Sequence, residues 1–162
     1  MNPLSKAWLL NRLKFVRDRN CNEGLCLDVG SGEHPIYDSC IQIDIKKLGD
    51  IQATGCSLPF KNECFNIVFC LEVIEHLTDP TSFLEEAHRV LVDNGKLVLT
   101  TPDNNNPLWR LIWFLWVHTV SKRGLFDRHK NNFRLSQIAK HFKVLKVQRV
   151  NLFLHYVEAM KT

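Results

Sequence analysis

Two apolar runs constrain this chain more than any other feature: residues 66–71 (NIVFCL) and 96–101 (KLVLTT). Neither alternates apolar with polar residues, so a strand built from either buries both of its faces, as strands of parallel sheets do. A parallel sheet needs crossover connections, ordinarily a dozen or more residues long and helical. Residues 81–92 supply one, with Phe83, Leu84, Ala87, Val90 and Leu91 on one face, Pro80 at the start and Asn94-Gly95 at the stop. Further strands are expected at 25–29, 41–45, 50–54, 144–151 and 154–160, the last two joined so tightly that they pair as an antiparallel hairpin. A second helix is expected at 135–142. An amphipathic helix opens the chain over 4–17, with Leu4, Trp8, Leu9, Leu13 and Val16 on one side.

The first two connections are unusually short. Only residues 30–40 separate the first two strands, and 46–49 the next two. At most one turn of helix fits in the first and none in the second. One face of the sheet's first half therefore lacks helices, and the opening helix is its natural cover. With 162 residues, 45% hydrophobic and 23% charged, a single domain over 1–162 is expected, and disorder and coiled coil are excluded. No apolar run reaches the ~20 residues needed to span a bilayer, and residues 1–6 lack an apolar signal core. Six cysteines, at positions 21, 26, 40, 56, 64 and 70, form no C-x-x-C pair. Histidines do not follow them at zinc-ligand spacing, so no metal site is expected. Cys26 and Cys70 lie in apolar runs and read as buried thiols, which implies a reducing, cytoplasmic setting.

Residues 25–33 (LCLDVGSGE) carry an apolar strand into Asp28, Gly30 and Gly32. Glycines at the C-terminal end of a strand let the backbone turn sharply and let a ligand approach it, though many tight turns use glycine with no ligand at all. The dinucleotide pattern G-x-G-x-x-G is incomplete, because Pro35 holds the third position, and a nicotinamide-dependent oxidoreductase is the least favoured reading. Asp44 ends the following strand. A carboxylate there can accept both hydroxyls of a ribose, or can be an ordinary solvated strand end.

These two features stand in series with residues 58–60 (LPF), 72–76 (EVIEH), 86–91 (EAHRVL) and 94–102 (NGKLVLTTP). The series resembles the class I S-adenosylmethionine-dependent methyltransferases, in particular the small-molecule enzymes typified by quinone biosynthesis. It covers residues 24–102 well and 129–133 weakly. The resemblance implies an α/β, Rossmann-like, seven-stranded mixed sheet of order 3-2-1-4-5-7-6, with helices missing or shortened in its first half. It also implies residue roles. Gly30, Ser31 and Gly32 pass beneath the methionine part of S-adenosylmethionine, and Asp28 holds its amino group. Asp44 takes the ribose hydroxyls, Ile45 packs on the adenine, and Thr54 and Gly55 hold the adenine rim. Cys70 and Leu71 floor the site near the sulfonium, while Glu72 and His76 face the acceptor, His76 as first choice for a general base. Glu75 is a comparable carboxylate.

The series departs from the family pattern in two places. His34 replaces the third glycine, and Thr54 stands where an acidic residue is common four places before LPF. With the missing helices, these departures imply an open site that binds the cofactor more weakly than a full-length relative does. The strand ending FCLE, in place of N-P-P-Y, argues against an adenine-amino methyltransferase acting on DNA.

Residues 107–120 (PLWRLIWFLWVHTV) place Trp109, Trp113 and Trp116 on one helical stripe. In the family an insertion here, over 107–130, covers the acceptor. An apolar acceptor, a helix lying in a membrane interface, a homodimer contact and a plain packing lid are all open readings, with His118, Arg128 and His129 as acceptor-side groups under the first. Charge is uneven: residues 1–106 hold 10 Lys/Arg against 15 Asp/Glu, and residues 107–162 hold 11 against 2. A nucleic-acid partner for the basic third is less favoured than a solvated face. The function expected is methyl transfer to a small-molecule acceptor, releasing S-adenosylhomocysteine. A cofactor-binding regulatory protein without turnover is the alternative.

Overall fold

The sheet is built on the strand that the sequence makes most apolar. In a computed structural model describing residues 13, 14, 16, 17, 24–103, 106, 133–151 and 154–162, Phe65–Leu71 (β4) buries every residue except Asn66. Around it the order is β3-β2-β1-β4-β5-β7-β6, with β1 Cys26–Val29, β2 Ile41–Asp44, β3 Ile51–Gln52, β5 Leu91–Pro102, β6 Lys143–Asn151 and β7 Leu154–Met160. β1 through β5 run parallel, and β7 is antiparallel to both β5 and β6. This is the expected seven-stranded mixed sheet, and the hairpin is where the tight connection puts it.

Two differences concern element ends. The helix, α1, runs Pro80–Val90 and passes directly into β5 at Leu91, so Asn94-Gly95 lies inside the strand element and does not stop the helix. Residues 135–140 form a 3-10 helix, Leu135–Lys140, tighter than the α-helix expected there. The Trp-rich segment 107–120, the insertion 107–130 with His118, Arg128 and His129, and most of the opening helix lie outside the described residues. Among the described residues, no helix is long and apolar enough to cross a membrane.

Each face of the sheet has its own core. On one, Phe83, Leu84, Ala87 and Val90 of α1 pack on Leu27, Val29, Val68, Cys70, Leu97 and Leu99. Burying a side chain of this size stabilises by roughly 1.5–3 kcal/mol. On the other face, Leu13 and Val16 are helical and buried against Ile67, Phe69, Val98 and Tyr156, covering the sheet as expected.

The residues 86–91 that resemble a family signature act here as a clamp. Glu86 accepts from the Leu58 amide at 2.7 Å and from Arg89 at 2.7 and 2.8 Å. Arg89 in turn donates to the carbonyls of Leu58 and Phe60 at 3.1 and 2.8 Å. One ion pair on α1 thus satisfies the backbone of the LPF loop that leads into β4. The Arg89 guanidinium holds the Glu86 carboxyl below its ordinary range.

The crossover from β1 to β2 contains no helix. It is held by polar and covalent ties: Asp28 accepts from the Ile36 amide at 2.8 Å, Arg17 donates to the carbonyls of Ile36 and Pro35, and the Tyr37 hydroxyl donates to the Arg17 carbonyl at 3.1 Å. Cys26 and Cys40 are joined as a disulfide, their Cα atoms 4.7 Å apart. The reading of Cys26 as a free buried thiol is therefore corrected, and the cysteines no longer argue for a reducing setting. Cys70 is a buried thiol as expected.

Closing the 14-residue separation between Cys26 and Cys40 restricts the unfolded chain by about 3 kcal/mol. Urea unfolding with and without dithiothreitol is expected to show a lower midpoint in the reduced protein, and Cys40→Ala to reproduce it without reductant. Arg89→Ala removes the guanidinium from two carbonyls and from Glu86, which keeps only the Leu58 amide, and is expected to cost about 2–3 kcal/mol. Because the folded Glu86 carboxyl sits below its ordinary value of 4.5, its contribution is present above that pH and is lost as pH falls through the lowered value. Arg89→Ala should therefore flatten the acid limb of the stability profile.

Candidate functional site

The carboxyl ends of β1, β2, β4 and β5 form one rim, and antiparallel β7 begins at the same rim because Pro102 pairs with Leu154. In an open parallel sheet this is where ligands bind, at the point where strand order reverses, here between β1 and β4.

Gly30 and Gly32 turn the chain at the end of β1, with φ of 72° and 58°. They need glycine for different reasons. A Cβ on Gly30 would overlap the Val73 side chain, so Gly30 permits close packing. A Cβ on Gly32 would meet no heavy atom within 4 Å. That open space beside bare backbone is what a ligand needs for close approach.

Asp44 is joined directly to this loop. Its Oδ2 accepts from the Gly32 amide at 3.1 Å and its Oδ1 from the Lys46 amide at 2.7 Å. A carboxylate offers about four lone-pair sites, so two remain for a pair of hydroxyls. Beside it, Ile45 is 68% exposed, a large apolar side chain held out next to the carboxylate. Gly30, Ser31, Gly32 and Asp44 are thus brought together, since the amides of Gly30 and Ser31 also donate to the Ile43 carbonyl.

Other expected residues occupy the rim in different ways. Asp28 is buried and receives the Ile36 amide, so it fastens the crossover. Thr54 Oγ1 accepts from the Cys56 amide at 3.3 Å, and a Cβ on Gly55 would press on Val29 and Phe83. Cys70 is fully buried among the residues that pack against α1, while Leu71 is buried in the cluster on the other face. Burial, and then the charges of Glu75 and Asp28, push the Cys70 thiol well above its ordinary value, so it stays protonated. Glu72 takes a left-handed backbone, φ 57°, and its amide donates to the Thr100 carbonyl at 2.9 Å. His76 closes the 3-10 turn Ile74–His76 just beyond.

Ser31 Oγ, Thr100 Oγ1, Thr101 Oγ1 and His155 Nδ1 are buried without a hydrogen-bond partner among the described residues. Such atoms are uncommon, because each carries a desolvation cost. All four lie at the rim: after β1, at the end of β5 and at the start of β7. The sequence points to Ser31 and to the TTP ending of β5. It gives no sign of His155, because only the β5–β7 pairing carries that residue to the rim.

Residues 20–99 match the family described as "Methyltransferase domain". The ubiquinone biosynthesis O-methyltransferase of Pseudomonas paraeruginosa is 26% identical, over 80% of this chain and 65% of its own length. The enzyme of the same description from Azotobacter vinelandii is 24% identical, over 83% and 64%. The chain therefore spans less than two-thirds of the length of these relatives. Among solved structures, an S-adenosylmethionine-dependent methyltransferase from Thermotoga maritima superposes with a TM-score of 0.71 at 18% identity, covering 98% of this chain and 95% of that one. A protein from Pyrococcus horikoshii gives 0.71 at 16%, covering 99% and 93%.

The two glycines separate by experiment. Gly30→Ala is expected to destabilise the fold by more than about 2 kcal/mol, through both its φ and the overlap with Val73. Gly32→Ala carries only the φ cost of about 1–2 kcal/mol and is expected to fold. Its new methyl enters the open space, so calorimetry with S-adenosylhomocysteine should show affinity reduced at least tenfold.

Proposed function

We propose that the chain is a class I S-adenosylmethionine-dependent methyltransferase that transfers a methyl group to a hydroxyl oxygen of a small molecule. The observation that carries the reading is the cradle at the rim, where the Asp44 carboxylate is tied to the Gly32 amide and keeps two acceptor sites free beside open space. The two ubiquinone biosynthesis relatives, both O-methyltransferases by name, support the oxygen acceptor.

The rim residues fit the cofactor. Asp44 would accept the ribose hydroxyls, Ile45 would offer an apolar face to the adenine with Thr54 and Gly55 at its edge, and the Gly30–Gly32 backbone would hold the methionine portion. Asp28 supports that portion by holding the loop in place, and the backbone of Cys70 and Leu71 floors it. When bound, S-adenosylmethionine supplies a methyl group already activated by its sulfonium, so the transfer needs chiefly alignment and exclusion of water. Glu72 and His76 border the acceptor from the β4 side. The strained Glu72 backbone fixes where its carboxylate starts.

The test is release of S-adenosylhomocysteine from S-adenosylmethionine in the presence of catechol, 4-hydroxybenzoate and related ring hydroxyls. Turnover is expected with at least one, with Asp44→Ala weakening cofactor affinity at least tenfold while the protein stays folded. Absence of measurable heat with S-adenosylhomocysteine, together with turnover untouched by Asp44→Ala, would falsify the reading.

A further inference from the structure

We propose that His155, held by Asp103, is the base that takes the acceptor's hydroxyl proton. This rests on the O-methyl transfer just proposed and names the group that serves it.

The placement follows from strand pairing. Thr101 of β5 faces His155 of β7, and His155 faces Arg149 of β6. Cross-strand partners share a face of a sheet. Asp103 lies two residues beyond Thr101, which returns its side chain to that face. The Asp103 side chain is 6% exposed; its Oδ2 accepts from Arg149 Nη2 at 2.8 Å and lies 3.4 Å from His155 Nε2. The histidine is thus turned so that one ring nitrogen meets a carboxylate. The other, Nδ1, is buried without a partner among the described residues, beside a Thr101 hydroxyl in the same condition.

A histidine base starts its step as the neutral imidazole. Asp103 is shared between Arg149 and His155. A neutral imidazole carries one hydrogen, and the nitrogen facing the carboxylate is the one that keeps it. The lone pair is then on Nδ1, the buried atom at the rim. This is the arrangement by which a carboxylate sets the tautomer of a histidine base and steadies the imidazolium that forms.

The step balances without a further reactant. The acceptor oxygen bonds to the methyl carbon as the methyl–sulfur bond breaks, and sulfur keeps that electron pair. The hydroxyl proton passes to His155 Nδ1. The resulting imidazolium is paired with Asp103 and later gives the proton to water. Positioned bases of this kind contribute about 10²–10⁴ in rate.

The test has two readouts. The first uses 4-nitrocatechol, whose phenolate absorbs at longer wavelength than its phenol, added to the protein with S-adenosylhomocysteine at a pH where the free probe is protonated. The wild type is expected to bind it as phenolate, with His155→Gln binding it as phenol and Asp103→Asn showing reduced ionisation. The second is S-adenosylhomocysteine release with the hydroxyl acceptor that the wild type turns over. There, His155→Gln should lower kcat by 10²-fold or more while S-adenosylhomocysteine affinity, by calorimetry, stays within twofold. A probe that fails to bind or remains protonated in the wild type overturns the proposal. So does a His155→Gln enzyme of normal rate, or one whose only defect is in cofactor affinity. If His155→Gln does not fold, probe ionisation in the wild type and its reduction in Asp103→Asn decide the matter. Absence of S-adenosylhomocysteine binding or turnover in the wild type strikes the O-methyl transfer reading instead, and is seen before any variant is made.

Discussion

A parallel pair of strands must be joined by a chain that travels back along the sheet, and whatever holds that chain fixes the geometry at the strand ends. Between β1 and β2 there is no helix to do this. The task falls to the Asp28 carboxylate on the Ile36 amide, to Arg17 on two carbonyls and to the Cys26–Cys40 bond. The Gly30–Gly32 turn and its tie to Asp44 are the first residues of this crossover, so the cradle is only as well placed as the ties behind it. Residues distant in sequence thus share one structural duty. Arg17 ends the described part of the opening helix, yet its guanidinium orders the loop beside the site.

The same division of labour explains the signature over residues 58–91. Glu86 and Arg89 are charged residues of that signature, and they spend their hydrogen bonds on the LPF loop and on each other. They set the entry of β4 and, through it, the position of Glu72 at the far end of that strand. A motif can mark a family because it carries structure, while chemistry falls to residues with less conspicuous neighbours.

What the sequence revealed follows from the range of each interaction. Strands β4 and β7 were legible because apolar runs and tight joins are local signals. That Asp44 and the glycine pair end neighbouring strands was legible because it is a local signal, whereas the bond from the Gly32 amide to Asp44 was not, because it forms only when β1 and β2 lie side by side. The disulfide was not, because Cys26 and Cys40 meet only once β1 and β2 are side by side, and no spacing rule announces that. The Asp103–Arg149–His155 cluster was hidden for the same reason: its members come from β6, β7 and the residue just after β5, up to 52 positions apart along the chain. The extension of β5 back to Leu91 ran against Asn94-Gly95, where pairing of Leu91 with Phe65 outweighed a strong local stop.

Glu72 sits in a backbone conformation that glycine adopts more easily by about 1–2 kcal/mol. Heat tolerance and chemistry therefore pull this position in opposite directions. A directed-evolution campaign scored only on survival of heating is free to replace the carboxylate with glycine, and a library ranked that way would discard a group at the rim while reporting an improved protein.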